Sequence, residues 1–186
     1  MSIDSLKEAL PEYARDIKLN LSTLAGEELL TEQQKWGAFL SCALAGGNEF
    51  VIQALHAEAS ARLGPDALNA AKAAAAIMAM NNVYYKFTGM IENAEYRTMP
   101  ARLRMNVIAN PGVDKLDFEL WSLAVSAVNG CQFCVNAHEP ILIKGGLSKE
   151  QVQTAVRIAA VVTAASCVLN GEAALQGASA IVASAA

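Results

Sequence analysis

Cys131, Cys134 and His138 fall in one short run, Cys131-Gln132-Phe133-Cys134-Val135-Asn136-Ala137-His138, with spacings of three and then four residues. Residues three and four apart share a face of a helix, so a helical run points both thiols and the imidazole the same way. Two thiols beside a proton acceptor are the parts of a thiol–disulfide exchange site. A free thiol has a pKa of ~8.5 and reacts as its thiolate, so it needs assistance near neutral pH. Cys131 follows Asn129-Gly130, at the expected start of a helix, where unpaired backbone N–H groups and the helix dipole favour negative charge. His138, one turn beyond Cys134, can take its proton. Glu119 can orient the imidazole or carry the proton onward, provided that its own helix folds back against the cysteine helix.

Plainer readings exist for the same residues. The cysteines can be small apolar core residues. Cys131, Cys134, His138 and Glu119 can also be set against zinc, which usually takes four ligands, but three from one short helix make an awkward tetrahedron. Cys42 and Cys167 stand alone in Ala-rich stretches and read as core. His56, close to Gln53 and Glu58, reads as a surface or half-buried structural residue. Arg102 and Arg104 can bind an anion, but read more simply as a solvated face or an inter-subunit salt link. Trp36, Trp121, Tyr84 and Tyr85 read as core or subunit interface. No Gly-rich phosphate loop follows a strand, so no nucleotide or flavin site is indicated.

The elements that must position these groups are helical. The chain has 186 residues, 54% of them hydrophobic and 6% aromatic, enough for one domain with a sizeable core spanning 1–186. Ala is abundant, and no segment alternates like a strand, so the expected class is all-α. A net charge of −4 and a pI near 5.2 argue against a nucleic-acid binder. The N-terminus lacks the apolar core of a signal peptide, and the most apolar stretch, 158–169, is short and carries Thr163, Ser166 and Cys167. The expectation is a cytoplasmic protein with no membrane span, in a reducing compartment where vicinal cysteines are more often catalytic or metal-binding than structural.

In chain order, Ser5 with Glu8 suggests a capping box for a helix to about residue 10, and Pro11 opens a second, with Tyr13, Ile17, Leu21 and Leu24 inward and Gly26 at its end. Thr31 with Gln34 caps a helix stopped by Gly46-Gly47. The next spans about 48–63. A long Ala-rich helix runs from Pro65 to about Met80, Asn81-Asn82 breaks it, and a further helix covers 83–91. Asn110-Pro111-Gly112 is a turn, and Asp114 caps a helix to Val128. After Asn129-Gly130 the cysteine helix runs to Gly145-Gly146. Ser148 with Gln151 opens a helix to about Asn170, where Gly171 ends it, and a last Ala-rich helix closes the chain. Residues 76–81 and 124–129 match in pattern at an offset of 48, which suggests an internal repeat of about 66–96 and 114–146.

Glu119, Cys131-x-x-Cys134 and His138, with their spacings, resemble the pattern of the AhpD alkylhydroperoxidases in the carboxymuconolactone decarboxylase superfamily. The likeness extends over Leu10-Pro11-Glu12-Tyr13-Ala14, Met78-Ala79-Met80-Asn81-Asn82-Val83, Leu103-Arg104-Met105-Asn106 and Phe118-Glu119-Leu120-Trp121-Ser122. The resemblance implies a helical fold with a duplicated motif, assembled as a homotrimer, with no bound cofactor. It implies a dithiol that reduces the peroxiredoxin AhpC, and alkyl hydroperoxides weakly. The electrons would come from dihydrolipoyl groups on the E2 subunit of a 2-oxoacid dehydrogenase, recharged by dihydrolipoamide dehydrogenase. It further implies Cys134 as the attacking thiol, Cys131 as the resolving one, a Cys131–Cys134 disulfide, and Glu119 with His138 as the proton relay. Two features depart from this pattern. Phe133 stands where a second His is common, and Pro140 lies inside the cysteine helix, removing a hydrogen bond to the Asn136 carbonyl. Slower direct peroxide reduction is the expected result. A cofactor-free lactone decarboxylase and a redox-sensing scaffold are the alternatives to this reading.

Overall fold

Helix caps explain most of the architecture. A computed structural model describes residues 1–184, with side chains through 177, and within them every regular element is helical. Helix α1 (Ile3–Ala9) is capped by Ser2, whose hydroxyl accepts from the Ser5 amide, so the expected box at Ser5 and Glu8 is replaced by a single cap three residues earlier. Pro11 does not open a long helix. It precedes a single 3-10 turn (Glu12–Ala14), and α2 (Arg15–Ala25) follows. Tyr13 points outward rather than into the core, and its hydroxyl donates to Glu172. Helix α3 (Glu32–Gly46) has the full capping box at Thr31 and Gln34 and ends at Gly47, in the left-handed region. Asn48 caps α4 (Glu49–Ser60).

Helix α5 (Pro65–Met90) departs most from the sequence reading, because it passes through Asn81-Asn82 without a break. Asn side chains disfavour helix interiors when they compete for the backbone. Asn82 is buried and bonded across to α8 instead, so that competition does not arise. Two short helices, α6 (Glu95–Thr98) and α7 (Asn106–Ala109), lead to α8 (Lys115–Val128), α9 (Gln132–Lys144) and α10 (Lys149–Ser184). Asp114 caps α8 as expected, its carboxylate accepting from the Leu116 amide at 2.7 Å. The Ser148–Gln151 box is present at the start of α10.

Gly171 does not end α10. A lone Gly costs a helix only ~1 kcal/mol relative to Ala, and no proline follows to stop it. The expected final Ala-rich helix is therefore a continuation of α10, with residues 185–186 outside those described. Among the described residues, α10 is the helix long and apolar enough to cross a membrane by length and composition. Half of that stretch is buried against the rest of the fold, where α10 packs on α2, α3 and α8.

Helix α3 lies at the centre, in contact with α4, α5, α8 and α10, and α8 is clasped between α3, α5, α9 and α10. The α3–α8 contact is close because Gly37 has no side chain. A Cβ there would sit 2.1 Å from the Trp121 ring. Trp121 is fully buried and its indole N–H donates to the Gln34 carbonyl at 3.0 Å. Gln33 and Gln34 also donate to the buried Asp117 carboxylate, at 2.7 and 2.9 Å. These bonds fix α8 in rotation and register, and with it the direction of Glu119.

Candidate functional site

The site forms where α8 folds back along α9. Helix α8 ends at Val128, Asn129 caps it, and Gly130 turns the chain with φ +64. That left-handed conformation suits Gly and strains other residues. It lets Cys131 take the N-cap position of α9, where its sulfur accepts from the Cys134 amide at 3.3 Å. Cys131 and Cys134 are joined as a disulfide with their Cα atoms 5.3 Å apart. Cys131 is fully buried and Cys134 is 4% exposed, so any incoming group meets Cys134 first.

One turn beyond Cys134, His138 Nδ1 lies 2.5 Å from Glu119 Oε2. Both groups are buried, His138 9% and Glu119 2% exposed. A carboxylate in this place sets the ring orientation and leaves Nε2 as the nitrogen for proton exchange. The fold therefore brings all four expected residues, Glu119, Cys131, Cys134 and His138, into one site. The condition set by the sequence, that the Glu119 helix should return against the cysteine helix, is met by the α8–α9 contact. The sulfurs bond each other, and among the described residues no three His, Cys, Asp or Glu side chains converge to hold a metal ion.

The other flagged residues lie elsewhere. Cys42 is buried in α3, and burial pushes its thiol up to about 12, so it is inert at neutral pH. Cys167 is exposed, not core as expected, because it falls on the outer face of α10. His56 is half-buried on α4, far from α9 in the chain and bonded to none of the four site residues. Arg102 has φ 52, a strained backbone in the irregular segment between α6 and α7. Trp36 and Trp121 are core.

Two features escaped the sequence reading. Phe133, 53% exposed beside Cys134, stacks on Tyr85 of α5 with centroids 5.0 Å apart and planes at 9°. This pair is part of the wall of a cleft of about 680 Å³, lined also by Met90, Tyr96, Arg97 and Asn136. The second is a set of polar bonds from α5 to the turn before Cys131. Its signal was present in Asn81-Asn82, polar residues amid Ala with no Gly or Pro, which fit a cross-helix bond as well as a break. Helix α9 also runs through Pro140 to Lys144.

The chain is similar to known proteins over nearly its whole length. The carboxymuconolactone decarboxylase family matches residues 94–179, which include all four site residues. The chain is 59% identical over 175 residues to the alkyl hydroperoxide reductase AhpD of Hyphomonas neptunium, covering 94% of this chain and 97% of that one. It is 60% identical to the AhpD of Maricaulis maris, covering 92% and 99%. It is 56% identical to that of Brucella abortus, covering 91% and 97%. With a helical fold, a bridged Cys131-x-x-Cys134 pair and likeness to these relatives over nearly its whole length, the chain belongs to the AhpD family, within the carboxymuconolactone decarboxylase family.

Proposed function

We propose that the chain is an oxidoreductase of the alkyl hydroperoxide reductase type, working through a Cys131/Cys134 dithiol–disulfide cycle with Glu119 and His138 as its proton relay. The observation that carries this reading is the buried Glu119–His138 pair one turn from a bridged pair of cysteines. The names of the relatives, alkyl hydroperoxide reductase AhpD, support it.

In the reductive half, a donor thiolate attacks Cys134, the more exposed sulfur. The S–S bond breaks and Cys131 leaves as a thiolate. The leaving group is favoured by its N-cap position and by the hydrogen bond from the Cys134 amide. The donor's second thiolate then closes the donor disulfide, and Cys134 is released. Two electrons and two protons have passed to the protein. A dihydrolipoyl group on an E2 subunit, recharged by dihydrolipoamide dehydrogenase, is a donor of this chemistry.

In the oxidative half, His138 takes the Cys134 proton and Glu119 stabilises the imidazolium. The Cys134 thiolate attacks the peroxide, the O–O bond breaks, and the alkoxide takes the proton from His138. Cys131 then attacks the sulfenic sulfur, the bridge forms and water leaves. Overall, two thiols and ROOH give one disulfide, ROH and H₂O. With the peroxiredoxin AhpC as acceptor, Cys134 attacks its disulfide instead, and the same bridge forms as AhpC is reduced. The aromatic cleft beside Phe133 suits the alkyl part of an organic peroxide. The protein is read as a single domain with an internal repeat, working as a homotrimer in the cytoplasm.

Dihydrolipoamide-driven reduction of tert-butyl hydroperoxide, with and without AhpC, tests the reading. Turnover is expected, faster with AhpC and lost when the reduced protein is alkylated. A cofactor-free decarboxylase would keep its activity after alkylation, and a sensor would show no turnover; either result overturns the proposal.

A further inference from the structure

Asn82 is 1% exposed in the middle of α5 and directs its amide at the neighbouring helix. Its Nδ2 donates to Ser126 Oγ at 2.9 Å, and its Oδ1 accepts from Asn129 Nδ2 at 2.9 Å. One turn further along α5, Lys86 Nζ donates to the Asn129 carbonyl at 2.6 Å. Ser126, itself fully buried, accepts the Cys131 amide through its own carbonyl at 3.0 Å. Two side chains of one helix thus hold the turn that delivers Cys131 to α9, at Ser126 and at Asn129. Asn81, the adjacent buried residue, has an Oδ1 without a hydrogen-bond partner, so burial of an Asn here does not by itself create the link.

We propose that Asn82 and Lys86 are positioning residues for the dithiol, keeping Cys131 within bonding range of Cys134 while the bridge is open. The proposal rests on the reading of this pair as redox-active. Opening the bridge converts one S–S bond into two S–H groups at the expense of a donor dithiol, which becomes a disulfide. The backbone still joins the two residues, but no S–S bond then fixes the distance between their sulfurs. Cys134 rides on the first turn of α9, whereas Cys131 sits at its N-cap, and its place depends on the turn 126–131. Holding that turn raises the effective concentration of one thiol at the other and favours closure of the bridge. Releasing it lowers the equilibrium constant for bridging and alters neither thiol chemically.

The test equilibrates the full-length protein, in the assembly it adopts, with dithiothreitol buffers of graded oxidation, followed by acid quench, alkylation and mass counting of free thiols. Lys86→Met and Asn82→Ala are expected to lower the bridging equilibrium constant about tenfold, which is a rise of about 30 mV in reduction potential. Lys86→Arg keeps a donor to the carbonyl and is expected to stay within about threefold of wild type, as is Asn81→Ala. Should Asn82→Ala fail to fold, the half-buried Lys86 carries the test alone. An unchanged constant in Lys86→Met, or an equal shift in Asn81→Ala, overturns the proposal whatever happens to thermal stability. No peroxide enters the assay, so absence of peroxidase turnover leaves the result standing. A wild-type protein that never bridges would overturn the redox reading, and this proposal with it.

Discussion

Residues 76–81 and 124–129 share the pattern Ala-x-x-Ala-x-Asn, yet the chain does opposite things after them. Helix α5 continues for two more turns, while α8 stops and the chain turns into α9. The next residue makes the difference. After Asn129 comes Gly130, which takes φ +64; after Asn81 comes Asn82, which stays helical and spends its amide on Ser126 and Asn129. The site exists because one of two similar helix stretches breaks, and the unbroken one braces the break. A polar pair inside an Ala-rich helix therefore does not mark a boundary unless a residue able to leave the helix accompanies it.

The sharpest way to break this comparison is to exchange chemistry between its halves. At the offset of 48, Cys131 matches Val83 and Cys134 matches Lys86. Cys134→Ser removes the sulfur proposed to attack, and peroxide reduction should fall on the order of 10³-fold or more. Val83→Ser, on the exposed face of α5, should change the rate by less than about twofold. A dihydrolipoamide-coupled assay reads both, and retained turnover in Cys134→Ser would remove the basis of the proposed cycle.

Glu119 gives the next largest effect. Glu119→Gln keeps the shape and a hydrogen bond to His138 but loses the charge that would stabilise an imidazolium. A fall of about 10²-fold in peroxide reduction is expected, within the usual range for a proton-transfer group. Circular dichroism melts separate this from unfolding, because weakening a buried hydrogen bond can by itself cost ~1–3 kcal/mol. A rate within twofold of wild type, in a folded protein, would leave Glu119 with no part in the relay.

The grouping of Cys131, Cys134 and His138 on one helix face was legible in the sequence because helical spacing is local. The α8–α9 return that brings Glu119 to His138 was only permitted by the sequence, since it depends on Gly37, Trp121 and Asp117 fixing α8 against α3. Caps at Thr31, Asp114 and Ser148 were legible for the same local reason. The helix passes through Asn82 because its amide finds partners far away in the chain, and through Gly171 because one Gly costs too little to end a helix. Cys167 was misread because composition does not say which face of α10 is outward.

Phe133 tests how far the site is specified beyond its four central residues. It stacks on Tyr85 and has no proton to give. Phe133→His would add an acid–base group next to Cys134 while weakening that stack. Direct reduction of tert-butyl hydroperoxide should rise about tenfold, with disulfide exchange against lipoamide changing less than about threefold. No gain in peroxide reduction would mean that proton supply at this position does not limit the chemistry.

The smallest effects concern the break itself. Gly130→Ala forces a side chain into a left-handed backbone, although no atom lies within 4 Å of the new Cβ. The cost is therefore conformational, ~1–2 kcal/mol, and Gly130→Asn should recover part of it because Asn tolerates that region better. Gly89 near the end of α5 gives the contrast, being helical, exposed and equally free of neighbours. Gly89→Ala should stabilise the protein by ~0.5–1 kcal/mol through helix propensity alone. Urea titrations of the variants give the two signs directly. If Gly130→Ala were also stabilising, the turn before Cys131 would owe its shape to the bonds from α5 and not to glycine.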